Sequence, residues 1–245
     1  MLILAYHRVQ PAPAETLSVS THNFERQLRW LLATGWQPSV LDDAHRRGRK
    51  FSVTFDDGYR DNLIHAAPIL LRLDIPATFF VSTAYLDDEH VFHWRRRRMQ
   101  VDNPEGFPLR RSEVVELVRA GFEIGSHTVS HPHLTELCDD EVMTELRESR
   151  RAIEDLTGRA CRFLVYPFAS TDERVIAEAS RAGFRDAFVT PTGPHLPNRR
   201  FSRHRVGIYR HDSLARFGLK ASLWYRGGLR RIIWKLPHGR VPASS

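Results

Sequence analysis

Short uninterrupted apolar runs alternate along the chain with longer stretches in which apolar residues recur every three to four positions. The first kind reads as buried strand: LILAY (2–6), FSVTF (51–55), ATFFVS (77–82), FEIGS (122–126), CRFLVY (161–166), FRDAFVT (184–190) and, last, RHRVGIY (203–209). Continuous apolar strands suit a parallel sheet covered on both faces. The second kind reads as helix. NFERQLRWLLATG (23–35) sets Phe24, Leu28, Leu31 and Leu32 at helical spacing and stops at Gly35. Residues 60–73 carry Leu63, Ile64, Ala67 and Leu71 on one side, with Pro68 as a kink or break. SEVVELVRAG (112–121) has Ser112 as its expected N-cap and Gly121 past its end. DDEVMTELRESRRAIEDLTG (139–158) places Val142, Leu146, Ser149, Ile153 and Leu156 near one face, and DERVIAEASRAG (172–183) follows the same rule.

About seven strand–helix alternations result, and right-handed crossovers wind such units into one parallel sheet. The expected fold class is α/β, a sheet long enough to curl into a barrel, with its chemistry at the carboxyl ends of the strands. Two segments break the rhythm: 87–111, which contains HWRRRR, and a basic stretch after about 212. The chain therefore divides into a barrel, 1–212, and a basic amphipathic C-terminal helical tail, 213–245. In the tail, Trp224, Ile232, Ile233 and Trp234 are interleaved with Arg226, Arg230, Arg231 and Lys235. Residues 213–225 are expected to pack on the barrel, and 226–240 to contact an anionic membrane surface.

Composition changes this picture little. With 245 residues and 42% apolar content the chain is globular and large enough for one barrel. No apolar run approaches the roughly 18 residues of a membrane span. The opening MLILAYHRVQ lacks a basic flank and reads as a strand rather than a signal peptide, so a cytoplasmic location, at the inner membrane face if the tail binds lipid, is expected. Cys138 and Cys161 give no disulfide framework and are expected as buried thiols. The net charge is +7, and only three of the 36 basic residues are lysines. Such an arginine-rich surface suits anionic partners or simply solvates the protein. No helix-turn-helix, zinc-finger or aromatic-interleaved basic pattern points to nucleic acid.

The chemistry gathers where strands end. Asp56–Asp57 follows FSVTF, His127 and His131 follow FEIGS, Tyr166–Pro167–Phe168 ends CRFLV, and Arg203 opens the last strand. Two histidines four apart share a face if the segment is helical. Two imidazoles and a carboxylate make three protein ligands, and zinc in hydrolases takes three and leaves a fourth place for water. Other divalent transition metals accept the same set. Alone, Asp-Asp-Gly is usually a turn and a histidine pair is surface decoration. Their occurrence in order, each after a buried strand, is far more specific.

TFDDG, SHTVSHP and YPF, with the opening LAYHRV and with PATFFVS and AGFEIGSHT between, resemble the polysaccharide deacetylase family, the NodB-homology domain of carbohydrate esterase family 4. The resemblance runs from Leu2 to about Tyr209. It implies a distorted (β/α)7 barrel that removes acetyl groups from sugars with a divalent metal, Zn2+ first and Co2+, Ni2+ or Fe2+ as alternatives. By position it implies Asp56 as general base, Asp57, His127 and His131 as metal ligands, and the Phe168 N–H as oxyanion donor. Tyr59, Tyr166, Pro167 and Trp94 are expected to contact an acetylated sugar or glycan, lipid-linked if the tail meets a membrane. The chain departs from the family pattern at its third motif. Val165 stands at the place of the arginine that orients the base, and Ala169 at that of a glycine. In members with this form an arginine near a later R-x-x-V substitutes, which gives Arg203. The family's late histidine, the general acid, has no clear match, and His7, His204 and His211 are candidates. Two alternatives follow: a catalytically silent carbohydrate-binding barrel of the same fold, and a sibling enzyme removing another small acyl group such as formyl.

Overall fold

A computed structural model of the chain describes residues 1–13, 15–43, 48–87, 92, 106–190 and 198–225. Strands β1 (Leu2–Tyr6), β2 (Arg8–Gln10) and β3 (Ser18–Ser20) precede helix α1 (Thr21–Ala33), and β4 (Gln37–Pro38) and β5 (Lys50–Phe55) follow. A π-helical turn, Asn62–Ala66, runs into α2 (Ala67–Arg72). Then come β6 (Ala77–Val81), α3 (Arg111–Arg119), β7 (Glu123–Ser126), α4 (Asp139–Thr157), β8 (Phe163–Val165), α5 (Glu173–Arg181) and β9 (Asp186–Val189). β10 (Arg203–His204), β11 (Val206–Gly207) and α6 (Leu214–Tyr225) complete the described chain.

The main sheet runs β10-β9-β8-β7-β6-β5-β1-β11, with β4 added beside β5 and every pair parallel. Its two edges belong to one segment. Arg203 pairs with Phe188 of β9, and Val206, three residues on, pairs with Leu4 of β1. The Arg205 N–H donates to Val189 O at 2.9 Å and the Ile208 N–H to Ala5 O at 2.9 Å. The strand expected over 203–209 is therefore two short strands, one on each edge, because the segment leaves β9 to reach β1. This closes a distorted (β/α)7 barrel.

Strand alternation sorts the side chains. Ile3, Phe80, Phe163, Val165 and Phe188, with Leu41 from the 3-10 turn Leu41–Asp43, form a small cluster of their own. Their strand neighbours Leu2, Leu4, Phe79, Leu164 and Ala187 join the larger core with the helices. A β-carbon on Gly125 would lie 2.4 Å from the Phe80 ring, so glycine there lets that ring fill the space.

Helix ends follow local chemistry. Ser20 caps α1 by accepting the Asn23 N–H at 3.1 Å, and Gly158, at φ 65°, ends α4 in the left-handed conformation. The N-cap of α3 is Arg110 rather than Ser112, because Glu113 reaches back to accept the Arg110 N–H at 2.8 Å. Pro68 stands directly after the π-helical turn, where the Ala67 N–H reaches back five residues to Asn62 O, so the interruption expected at the proline is a change of helix type and not an end of the helix. Cys161 is buried, but Cys138 is exposed at the N-cap of α4, against the expectation of two buried thiols.

Helix α6 packs on the barrel as expected for 213–225. Phe217 is buried and meets Trp30 edge to face at 6.0 Å. The Lys220 ammonium is buried on Asp212, at 2.6 Å, and the Gly207 carbonyl, at 2.9 Å. Residues 226–245 lie outside the described residues. Among the described residues no helix is long and apolar enough to cross a membrane.

Candidate active site

The carboxyl ends of β5 and β7 bring Asp57, His127 and His131 together. Asp57 Oδ1 lies 3.3 Å from Nε2 of each histidine, and all three residues are buried. Asp57 adopts φ 72° and Gly58 φ 80°, so the turn after β5 bends at both residues and not at the glycine alone. A β-carbon on Gly58 would crowd Val81 at 3.1 Å.

The two histidines do not sit on a helical turn, as their spacing had implied. They flank an irregular loop with left-handed backbone at Thr128 (φ 68°) and His131 (φ 63°). The loop is held by side chains. Thr128 Oγ1 accepts the His131 N–H at 3.1 Å. Glu145 of α4 accepts the N–H groups of Val129 (2.8 Å) and Ser130 (3.0 Å) and the Ser130 hydroxyl (2.7 Å). His127 Nδ1 meets the Val165 carbonyl at 2.8 Å, which makes Nδ1 the protonated nitrogen and leaves Nε2 as a lone-pair donor facing Asp57. One donor atom from each residue lies within 4.8 Å of the others. Two imidazole nitrogens and a carboxylate oxygen fit zinc and the divalent metals beside it in the series. Burial works to raise the Asp57 pKa, but the two imidazoles that face it, His127 and His131, outweigh burial and hold the carboxyl well below its usual range. Glu145→Gln should weaken metal binding about 10–100-fold, because an amide cannot accept all three hydrogen bonds. Titration with zinc checks this, and unchanged affinity means that the loop holds itself.

Asp56 points elsewhere. Arg205 grips it with two hydrogen bonds, Nη1 to Oδ1 at 2.7 Å and Nη2 to Oδ2 at 2.6 Å, and also donates to Thr54 Oγ1 at 2.9 Å. Both partners of this pair are 3% exposed, which makes it a buried, bidentate ion pair. Burial works to raise the Asp56 pKa, but the Arg205 charge and hydrogen bonds outweigh it and hold the carboxyl below its usual range. The expected partner, Arg203, is not there. It begins the closing segment and donates to Asp186 at 2.6 Å, while Arg205 lies two residues nearer the carboxyl rim. The motif R-H-R-V held both arginines, and only the register of the closing segment separates them.

His7, directly after β1, brings Nε2 to 4.0 Å from Asp56 Oδ2. Its carbonyl accepts from Asn62 Nδ2 at 2.7 Å, and its neighbour Arg8 is anchored on buried Asp61 at 2.6 Å. His204 lies before Arg205, its N–H on Asn198 Oδ1 at 3.1 Å, and His211 is exposed and stacks on Tyr209.

In the third segment the Phe168 N–H makes no hydrogen bond among the described residues, while the backbone there is left-handed (φ 55°) and Ala169 repeats it (φ 55°). Pro167 is buried at the start of this turn. Tyr166 and Tyr59, expected to contact substrate, are both buried. Tyr166 is 2% exposed with its hydroxyl on the Phe201 carbonyl, at 2.9 Å, and Tyr59 is 3% exposed, packed on Phe92 beneath the Arg8 guanidinium. Trp94 and Arg95–Arg98 lie outside the described residues. The end of their segment does reach the rim: the Arg60 N–H donates to Phe107 O at 2.9 Å and the Leu109 N–H to Gly58 O at 2.8 Å. Of six described non-glycine residues with left-handed backbone, five (Asp57, Thr128, His131, Phe168 and Ala169) are in these loops, where strain marks a constrained site.

A family model for polysaccharide deacetylases matches residues 43–187. YxkH of Bacillus subtilis, whose name assigns it provisionally to the polysaccharide deacetylases, is 24% identical over 225 residues, 88% of this chain and 74% of its own length. The poly-β-1,6-N-acetyl-D-glucosamine N-deacetylase of Staphylococcus aureus is 22% identical over 227 residues, 80% of this chain and 74% of its own. Among solved structures, the Streptococcus pyogenes deacetylase PplD in complex with acetate superposes with a TM-score of 0.75 at 21% identity, covering 90% of this chain and 97% of that one.

Proposed function

Since the chain belongs to the polysaccharide deacetylase family, we propose that it hydrolyses the amide of N-acetylated sugar units in a glycan. The observation that carries this reading is the separation of two adjacent carboxylates, Asp57 turned to two imidazoles and Asp56 to Arg205. Asp57, His127 and His131 would hold a divalent cation, zinc by donor type. When bound, the cation polarises the acyl carbonyl and acidifies the attacking water. Asp56, kept ionised by Arg205, takes a proton from that water as its oxygen bonds to the acyl carbon. The Phe168 N–H donates to the carbonyl oxygen as negative charge develops there. His7 gives a proton to the departing nitrogen as the C–N bond breaks, yielding acetate and an amino sugar. His7→Gln should then lower kcat about 10²-fold with little change in KM and remove the alkaline limb of the pH–rate profile. An intact limb would return the role to His204 or His211.

Metal analysis of the purified chain, followed by assay of acetate release from N-acetylglucosamine oligomers, tests the reading as a whole. Tight metal without acetate release from any N-acetylated or N-formylated glycan favours the silent binding barrel. We further propose, from sequence alone, that the basic, tryptophan-bearing stretch 226–240 rests on an anionic membrane face, which suits a lipid-linked substrate. Sedimentation with anionic vesicles should fall with added salt and on deletion of 226–245. A full-length chain that stays in solution at low salt rules this out.

A further inference from the structure

The His7 ring lacks a polar hold of its own. Its Nδ1 is buried and makes no hydrogen bond among the described residues, so no carboxylate orients the imidazole from behind. The aim of Nε2 then depends on packing and on where the main chain of His7 is fixed. One segment, 56–62, fixes that main chain on both sides. The Asp56 N–H donates to Tyr6 O at 2.9 Å, Asn62 Nδ2 donates to His7 O at 2.7 Å, and Asp61 accepts from the Arg8 guanidinium at 2.6 Å. The segment that opens with the base therefore also sets where the acid stands.

Within that segment Asn62 has no other visible task. It is fully buried, and a carbonyl partner can be met only by its amide nitrogen. Its Oδ1 makes no hydrogen bond among the described residues, a cost that an apolar residue of the same size would avoid. Asn62 also opens the π-helical turn, in which the Ala67 N–H reaches back to Asn62 O, and such turns are rare and gather at functional sites. The structure assigns to Asn62 the part of a positioning residue. Its amide pins the His7 carbonyl so that Nε2 stays beside Asp56 and faces the departing nitrogen. This rests on the reading of His7 as the general acid of a deacetylase.

The test compares two substrates on the full chain loaded with zinc. One is an N-acetylglucosamine tetramer, whose departing amine must be protonated. The other is para-nitrophenyl acetate, whose phenolate leaves without a proton. Asn62→Ala should lower kcat on the tetramer about tenfold with KM within about twofold, and should keep its metal and about the wild-type rate on the aryl ester. Asn62→Leu keeps the size of the side chain but cannot donate, and should behave in the same way. In a His7→Gln background Asn62→Ala should cost nothing further, because the two residues act through one group. Equal losses on both substrates, additive losses in the double variant, or a wild-type kcat on the tetramer each overturn the inference and leave the deacetylase reading standing. A wild-type chain that hydrolyses the ester but leaves the tetramer's acetamides intact refutes that reading, and this inference with it.

Discussion

Asp56→Asn is expected to keep its metal and lose turnover, while Asp57→Ala, His127→Ala and His131→Ala lose the metal itself. The two aspartates are adjacent, yet they face different partners. Asp57 lies 3.3 Å from both imidazoles, whereas Asp56 is held by Arg205 at 2.7 and 2.6 Å. An amide at position 56 keeps the size of the side chain and removes its ability to take a proton, and general-base catalysis is worth about 10²–10⁴-fold in rate. Each ligand variant leaves two donors where zinc needs three or more from the protein, so occupancy should fall together with activity. Metal content and kcat measured on the same preparations separate the two groups. Full activity in Asp56→Asn, or unchanged metal in all three ligand variants, would sink the assignment.

The second large effect belongs to Arg205→Met. It leaves a carboxylate that is 3% exposed without its counter-charge, and breaking a buried pair from one side costs about 3–5 kcal/mol. The pH dependence follows from the same change. With Arg205 in place the Asp56 pKa lies below its ordinary value. Its contribution to stability is therefore full above the unfolded carboxylate pKa, about 3.9, and is lost as pH falls through the lower folded value. Without the guanidinium, burial dominates and the folded pKa rises, so the base ionises only at higher pH. The acid limb of the pH–rate profile should move upward. Arg203→Met is the matched control, since it disturbs Asp186 and should leave that limb where it is. If Arg203→Met moves the limb and Arg205→Met does not, the pair seen here is not the one that tunes the base.

Much of this was legible in the sequence because buried parallel strands are written as short apolar runs and their carboxyl ends carry the polar residues. FSVTF, ATFFVS and FEIGS became β5, β6 and β7 within a residue or two, and the three converging donors lie where two of these runs stop. Local pattern could not give what depends on register between distant segments. Arg203 and Arg205 are two apart and share a face of a regular strand, and the R-x-x-V spacing points to Arg203. The pairing of Arg203 with Phe188 and of Val206 with Leu4 places Arg205 at Asp56 instead. Nor could it give what depends on strained backbone. The histidine spacing fits a helical turn, but left-handed residues at Thr128 and His131 and the carboxylate of Glu145 shape the loop instead. Tyr59 and Tyr166 lie beside the motifs in sequence, yet their rings turn into the packing, a choice made by neighbours such as Phe92 and Phe201.

The segment that closes the barrel also sets a schedule for the newborn chain. The outer edge of β1 can pair only with Val206–Gly207, which is translated roughly 200 residues later. At about 5–20 residues per second, that edge of LILAY stays unpaired for about 10–40 s during synthesis. An apolar strand with an open edge is a template for aggregation, and no local contact can relieve it sooner. The guanidinium that neutralises Asp56 arrives on the same late segment. Any chain released before residue 205 therefore carries an unmatched buried carboxylate as well as a sticky strand, and is marked twice over for capture by chaperones or proteases.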